Sequence, residues 1–125
     1  MAFRYNPGKD LGQAAVTGNK TLVDADNGVA QVVTATSILT LPAAAAGKTF
    51  VVVNGAQGAS AGNPNITVRP AGSDTMTGNG FTPAAAKGAV LTAGAYGDYI
   101  KLTAGAATWY VTETGGSGTL WTREA

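Results

Sequence analysis

The chain of 125 residues is short enough to form one domain, and its composition narrows the chemistry that it can carry. Its net charge is +1, and charged residues make up 12% of the sequence, about half the share found in an ordinary globular domain. It has no cysteine and no histidine, which excludes disulfides, thiolate nucleophiles, zinc–thiolate sites and the most common general base.

Residues 1–19 differ from the rest of the sequence and predict an extended N-terminal arm. They contain several glycines and a proline, and they sustain neither a helical nor a strand period. Phe3 and Tyr5 flank Arg4, and aromatic and arginine side chains are favoured anchors at interfaces. Lys9 adds a second positive charge. We interpret these four side chains as partner-binding residues, with a frayed terminus as the alternative.

Residues 20–125 predict a single all-β domain, because short β-like runs alternate there with glycine-rich turn sequences. The predicted strands are residues 21–23, 29–36, 38–41, 49–54, 65–69, 89–92, 98–103, 108–113 and 119–123. About 8–9 short strands are typical of a compact antiparallel β-sandwich, jelly roll or barrel. The Asn27-Gly28 pair predicts a tight hairpin, because both residues tolerate a positive φ.

Apolar residues recur at every second position of these runs and indicate the buried faces. The run 49–54 places Phe50 and Val52 on one face, with Val51 and Val53 on the other. A strand that is apolar on both faces is central in a sheet or is covered by a partner. The residues predicted to form the core or a subunit seam are Ile38, Leu41, Val51, Val53, Ile66, Val68, Ile100, Leu102, Trp109 and Val111.

No motif in the sequence predicts an enzyme, a cofactor site or a metal site. Residues 58–62 (GASAG) match the spacing of a nucleophile elbow, but the chain has no histidine to accept the serine proton. Residues 24–28 (DADNG) faintly resemble the start of a calcium loop, but Ala35 stands where such a loop needs a bidentate glutamate. The lysines and arginines are spread singly, and no apolar run reaches about 18 residues, so neither nucleic acid nor a membrane is a predicted partner.

Four segments occur in an order that resembles a known module. They are residues 38–54 (ILTLPAAAAGKTFVVVN), 65–76 (NITVRPAGSDTM), 97–102 (GDYIKL) and 108–111 (TWYV). The order is similar to that of a module found in tailed-bacteriophage virion proteins, namely capsid decoration (head-stabilising) proteins and some head or tail fibres. The resemblance covers residues from about 36 to 112.

The resemblance implies a structural protein on the exterior of a phage capsid, assembled in the host cytoplasm. It implies a homotrimer that binds the major capsid protein and stabilises the shell, without a cofactor. The arm lies outside the resembling segments, so its contact with the capsid is an interpretation from its own residues. A head or tail fibre module that binds a receptor is the first alternative. A carbohydrate-binding module is the second, and it would require an exposed aromatic platform around Tyr99, Tyr110 and Trp121.

Overall fold

The computed structural model describes residues 12–56, 64–116 and 121–125, and it confirms the predicted all-β fold. The strands are β1 (Gln13–Val16), β2 (Lys20–Thr21), β3 (Ala30–Val33), β4 (Ser37–Thr40), β5 (Thr49–Asn54), β6 (Ile66–Arg69), β7 (Thr75–Thr77), β8 (Ala89–Leu91), β9 (Tyr99–Ala104), β10 (Thr108–Gly115) and β11 (Thr122–Arg123). A single 3-10 turn, Asp24–Asp26, is the only helical element in these three stretches.

The strands form two sheets around one apolar core. The larger sheet has six strands in the order β1-β3-β5-β9-β10-β7, and the smaller has five in the order β11-β8-β6-β4-β2. The buried residues of both sheets belong to one cluster, in which the Phe50 and Trp109 ring centroids lie 5.5 Å apart. The two sheets therefore pack as a sandwich, since each turns one apolar face toward the other.

The strands β1 to β6 alternate between the two sheets and form a two-sheet coil. Successive strands of each sheet are parallel within it: β1, β3 and β5 in the larger sheet, and β2, β4 and β6 in the smaller. Gln13 pairs with Ala30, 17 positions later. The longest step, from Ser37 to Ile66, is 29 positions. Each turn of the coil thus adds one strand to each sheet, as in repeat architectures.

The second half of the chain closes the sandwich mainly with antiparallel strands. β9 is antiparallel to both β5 and β10, and β8 is antiparallel to both β6 and β11. The short β7 is parallel to β10 at the edge of the larger sheet. The sheets are therefore mixed rather than antiparallel, and the described residues form 11 strands rather than 8–9.

The predicted hairpin at Asn27-Gly28 is wrong, because the strands on either side belong to different sheets. Asn27 has φ −57°, and only Gly28 takes the positive value, at +78°. The Asn27 side chain accepts a hydrogen bond from the Thr49 N–H at 2.7 Å. The pair therefore forms a corner that leads the coil from the smaller sheet back to the larger one.

The predicted boundary between an arm and the domain at residue 19 is also corrected. Residues 1–11 lie outside the described residues, together with the predicted partner-binding Phe3, Arg4, Tyr5 and Lys9. Gln13–Val16, however, is a strand of the larger sheet, and Val16 is buried in the core. Its partner strand lies 17 positions away in the sequence, so no local period marks it as a strand.

Most of the predicted core residues are buried. Those fully buried are Leu41, Ile66, Val68, Ile100, Leu102 and Trp109, and Val111 packs against the core while partly exposed. Three others, Ile38, Val51 and Val53, are half-buried and alternate with buried neighbours, so they face outward. The prediction left core and seam as alternatives, and for these three the core alternative is wrong.

Candidate interaction surface

The outer face of the larger sheet is mostly apolar along its β1, β3 and β5 strands, with Gln13 and Thr49 as its polar residues. Val53 of β5 pairs with Val32 of β3, which in turn pairs with Ala15 of β1. One row further along the sheet, Val51 pairs with Ala30. All five residues alternate with inward-facing neighbours and are only partly buried or exposed. We name these five residues, Ala15, Ala30, Val32, Val51 and Val53, the valine face.

A groove of about 330 Å³ lies beside the valine face, where the loop before β9 approaches the sheet. Tyr96 lines it and is 61% exposed, which is unusual for a large aromatic side chain. Gly55 forms part of the lining, and a Cβ at this position would lie 2.3 Å from Val32 Cγ1. The glycine is therefore needed for Val32 to keep its place at the groove.

The other half of this outer face, on β9 and β10, is polar. Lys101 pairs directly with Glu113 across the two strands. The Tyr99 hydroxyl donates a hydrogen bond to Glu113, and this bond, with smaller contributions from desolvation and the glutamate charge, raises the pKa of Tyr99 above its usual value near 10. The Tyr99 ring lies over Gly115, where a Cβ would come within 2.6 Å of it. A positively charged side chain, Lys101, and a negatively charged one, Glu113, thus lie beside the valine face.

The outer face of the smaller sheet is built from hydroxyl and ionic groups with two apolar residues among them. We name its outward-facing residues the threonine face: Thr21, Ile38, Thr40, Thr67, Arg69, Val90 and Thr122. Threonine suits a strand because its β-branch packs well on a pleated surface while its hydroxyl stays hydrated.

An ion pair fixes the C-terminal strand to this sheet. The Arg69 guanidinium donates hydrogen bonds to both carboxylate oxygens of Glu124, from Nη2 to Oε2 at 2.6 Å and from Nε to each oxygen at 3.2 Å. The Gly88 N–H donates to Oε1 of the same carboxylate at 2.9 Å. Partial burial raises the pKa of Glu124, but the Arg69 and Gly88 hydrogen bonds and the charges of Arg69 and Lys87 together bring that pKa below its ordinary value near 4.5.

A second groove, of about 260 Å³, lies on the threonine face between β2 and β6. Its two cationic residues are already engaged by carboxylates, Lys20 by Asp26 at 3.6 Å and Arg69 by Glu124. The Lys20 ammonium also donates a hydrogen bond to the side-chain oxygen of the buried Gln31 at 2.7 Å. The positive charge in this groove therefore serves internal contacts.

Two polar residues of the segments that carry the resemblance hold one loop. Asn54 is fully buried, and its Nδ2 donates to the carbonyl oxygens of Gly94 and Ala95, each at 2.9 Å. Asp98 is also buried, and its carboxylate accepts the Ala95 N–H at 2.8 Å. Buried polar groups stabilise a fold when they are hydrogen-bonded in this way, so both residues fix the loop that leads into β9.

Asp74 and Lys48, also in these segments, hold the connections around β4 and β5. The Asp74 carboxylate accepts the Ala44 N–H at 2.8 Å, across 30 positions of sequence. The Lys48 ammonium contacts Asp24 at 2.8 Å and donates to the carbonyl oxygen of Ala43 at 3.1 Å. Each of these side chains joins two separate parts of the backbone.

The motifs weighed for catalysis or metal binding gain no support from the geometry. Residues 58–62 lie outside the described residues. In the segment 24–28, Asp26 accepts the Val23 N–H and Asp24 contacts Lys48, so both carboxylates serve the corner of the coil. Within the described stretches, no group of three or more potential metal-ligating side chains comes together. No helix in the same stretches is long and apolar enough to cross a membrane.

The aromatic platform that the carbohydrate alternative requires does not assemble from its three predicted residues. Trp121 is 3% exposed, and its indole N–H donates to the Tyr99 carbonyl oxygen at 3.0 Å. Tyr110 is 48% exposed, but its ring lies over Gly105 on the outer face of the larger sheet. Burial in the core is the ordinary role of a tryptophan, and Trp121 takes it.

Compared with known proteins, the chain matches no protein-family model, no curated protein and no solved structure. The sequence predicts only part of the valine face. The run 49–54 is apolar on both sides of the strand and indicates Val51 and Val53, but it does not indicate Ala15, Ala30 or Val32. The alternation of Ala30 and Val32 with Gln31 was the available signal.

Proposed function

We propose that the protein is a non-catalytic structural protein of a tailed-phage virion, which binds the capsid exterior as a homotrimer and stabilises the shell. The observation that carries this proposal is the use made of the polar residues in the resembling segments. Asn54, Asp74 and Asp98 each bind backbone groups of a neighbouring loop. Residues so placed maintain a shape, which is what a decoration protein must present to a capsid.

The mechanism of such a protein is mechanical. Three linked copies present three copies of one weak contact, and the high effective concentration of the second and third contacts turns them into strong collective attachment. If the copies bind only the mature shell, their binding free energy is added to the stability of that shell.

The predicted capsid-binding residues are tested best by substitution in the full-length chain, since deletion of residues 2–17 would remove β1. The test variant replaces Phe3, Arg4, Tyr5 and Lys9 by alanine. A control matched in charge replaces Lys87 and Arg123 by alanine, which also removes two positive charges but leaves residues 1–19 unchanged. Both proteins are mixed with DNA-filled heads of the phage that encodes the chain, stripped of this protein, and are sedimented.

We expect the wild-type and the control to co-sediment with the heads and the four-residue variant to stay in the supernatant. Co-sedimented heads should also withstand a higher temperature before they release DNA. Binding of the four-residue variant at wild-type level would contradict the arm assignment. Failure of the wild-type protein to bind any head, mature or immature, would contradict the decoration function itself.

A fibre module is the second candidate, and the coil favours it. Parallel strands stacked by successive turns extend a protein along one axis, which is the shape that a fibre needs. A fibre module that binds a receptor would retain glycans of the host surface on an array, whereas a decoration protein would retain none. Glycan retention with no binding to heads would therefore support the fibre module.

A further inference from the structure

We propose that the Asn79-Gly80 pair is a site of spontaneous deamidation in the folded protein, and that the modification loosens the C-terminal strand β11. An asparagine followed by glycine favours this reaction, because glycine has no Cβ to hinder the backbone nitrogen that attacks the side chain. The chain has three such pairs, at residues 27–28, 54–55 and 79–80, and they differ in structure. The inference goes beyond the proposed function and does not depend on it, since water is the only other reactant.

The reaction needs only the two residues, water and hydroxide ion. Hydroxide removes the proton of the Gly80 backbone N–H, and the lone pair of that nitrogen attacks Cγ of Asn79. A bond between this nitrogen and Cγ forms, the bond between Cγ and Nδ2 breaks, and ammonia leaves with a proton taken from water, which regenerates hydroxide. Water then opens the resulting succinimide ring at one of its two carbonyl carbons and leaves an aspartyl or isoaspartyl residue at position 79. No group is oxidised or reduced.

The pair 79–80 forms an exposed two-residue turn. Its flanking residues form an antiparallel bridge, in which the Phe81 N–H donates to the Gly78 carbonyl oxygen at 2.9 Å. Both central residues have a positive φ, +53° at Asn79 and +78° at Gly80, as in the hairpin turns that favour this pair. Both are exposed, and the Gly80 N–H donates no hydrogen bond within the described residues. The attacking group is therefore open to hydroxide, and local motion of the turn is sufficient to bring it to Cγ.

In the pair 27–28 both reacting groups are engaged with Thr49. The Gly28 N–H donates to the Thr49 carbonyl oxygen at 3.0 Å, and the Asn27 side-chain oxygen accepts the Thr49 N–H at 2.7 Å. Both hydrogen bonds must break before the glycine nitrogen can attack. Asn27 is exposed, so this pair differs from the pair 79–80 in hydrogen bonding rather than in access to water.

In the pair 54–55 the asparagine is fully buried at the end of β5. Its Oδ1 accepts the Ala56 N–H at 2.9 Å, and the Gly55 N–H donates to the Val33 carbonyl oxygen at 2.7 Å. Because β5 is an interior strand of the larger sheet, reaction here requires the sheet to open. This pair should therefore be the slowest of the three.

Deamidation at position 79 removes a contact with the C-terminal strand. The Asn79 Nδ2 donates to the Trp121 carbonyl oxygen at 3.2 Å, immediately before β11. A carboxylate has no proton to donate and repels that carbonyl oxygen, so the contact is lost. Trp121 is buried, and its indole N–H donates to the Tyr99 carbonyl oxygen at 3.0 Å. Exchange of this indole proton with solvent therefore reports loosening of the strand.

The first test follows the full-length wild-type protein during incubation at mildly alkaline pH. Peptide mapping by mass spectrometry detects the replacement of NH2 by OH at each asparagine, and chromatography separates the isoaspartyl peptides. The pairs 27–28 and 54–55 are matched controls in the same chain. A second sample unfolded in urea gives the intrinsic rate of each pair, so the ratio of the folded to the unfolded rate measures the protection that the fold provides.

We expect the folded protein to react at Asn79 roughly tenfold faster than at Asn27 and roughly a hundredfold faster than at Asn54, because the opening required is larger at each of these controls. In urea the three rates should become similar. A folded protein in which either control reacts as fast as Asn79 would overturn the assignment. So would a folded protein that keeps Asn79 unmodified for as long as it keeps Asn54.

The second test uses Asn79→Asp to represent the product, with Asn27→Asp as its matched control. Asn79 donates through its nitrogen, whereas Asn27 accepts through its oxygen, and aspartate loses the donor but keeps the acceptor. Hydrogen exchange of the Trp121 indole should therefore be roughly tenfold faster in Asn79→Asp and unchanged in Asn27→Asp. Unchanged exchange in Asn79→Asp, or equal acceleration in the two variants, would overturn the loosening of β11.

Discussion

The valine face and the threonine face lie back to back on one core, yet the two outer surfaces are chemically different. In the larger sheet the outward residues of β3 and β5 are valine and alanine with one threonine, Thr49. In the smaller sheet β4 and β6 present Thr40, Thr67 and the ion-paired Arg69 with one apolar residue, Ile38. Both sets form strands equally well, since threonine and valine are both β-branched. Strand formation therefore does not explain the difference.

Charged side chains also have different contacts on the two outer faces. On the threonine face the Arg69–Glu124 pair joins β6 to the residue that follows β11. On the larger sheet Lys101 and Glu113 lie among apolar and hydroxyl groups at the border of the valine face. The first two residues form an ion pair that stabilises the fold, whereas Glu113 accepts a hydrogen bond from the Tyr99 hydroxyl.

The largest expected effect comes from removal of core volume beneath both faces. Leu102 is fully buried on β9, so Leu102→Ala should lower the free energy of unfolding by roughly 2–5 kcal/mol, through lost burial and the cavity left behind. Lys101→Ala, one position away and outward-facing, is the control and should change it by less than about 0.5 kcal/mol. Urea denaturation measures both values. Similar values for the two variants would show that Leu102 does not form part of the core.

The second prediction converts one face into the other. A variant with Val32→Thr, Val51→Thr and Val53→Thr should keep its fold, because threonine retains the β-branched shape on outward positions. Its dissociation constant for self-association should rise at least tenfold, about 1.4 kcal/mol, since the apolar surface is lost. Analytical ultracentrifugation measures the constant, and thermal unfolding verifies the fold. Unchanged association would mean that the valine face takes no part in self-association.

The third prediction concerns the ion pair on the threonine face. Glu124→Gln keeps the size of the side chain and removes its charge, so it should lower the free energy of unfolding at pH 7 by about 1 kcal/mol. The hydrogen bonds and charges around Glu124 lower its pKa in the folded protein. Its contribution is therefore present above the unfolded pKa and is lost as the pH falls through the folded pKa. Denaturation at several pH values should show the two proteins converge as the pH falls below the lowered pKa of Glu124. A difference that stays constant would contradict the ion pair.

The smallest effect is expected for the polar border of the valine face. Glu113→Gln removes the charged acceptor of the Tyr99 hydroxyl, so the pKa of Tyr99 should fall toward its usual value near 10. Stability should change by less than about 0.5 kcal/mol, because the pair is exposed. Ultraviolet titration of tyrosinate follows the pKa, and Tyr99→Phe identifies the signal. A titration curve identical to that of the wild-type would show that the bond does not form in solution.

The sequence alone was sufficient for the fold class and for much of the strand pattern. The run 49–54 forms β5 with the same bounds, and its alternation correctly placed Phe50 inward and Val51 outward. This success is local in origin, because a period of two depends only on adjacent residues.

What the sequence could not give was the pairing of strands in the coil. Ala15 contacts Val32 by way of a parallel ladder whose partners are 17 positions apart, and no nearby turn specifies such a pairing. The Asn27-Gly28 pair predicts a hairpin, because such a pair usually joins two neighbouring strands of one sheet. Here the strands on either side belong to different sheets, and the local sequence does not reveal this. The valine face was therefore visible only in part, because three of its five residues become neighbours through that pairing.

The coil also bears on how such a chain can change in length. One turn of the coil contributes one strand to each sheet. It lengthens each sheet by the spacing between neighbouring strands, about 4.8 Å. The outward-facing residues of that turn determine the composition of the added part of each outer face. Duplication of one turn, for instance of residues 17–34, would lengthen both faces by one row without disturbing the antiparallel half. Length is then a property that evolution can adjust in discrete steps, and a longer relative would present the same two surfaces over a greater span.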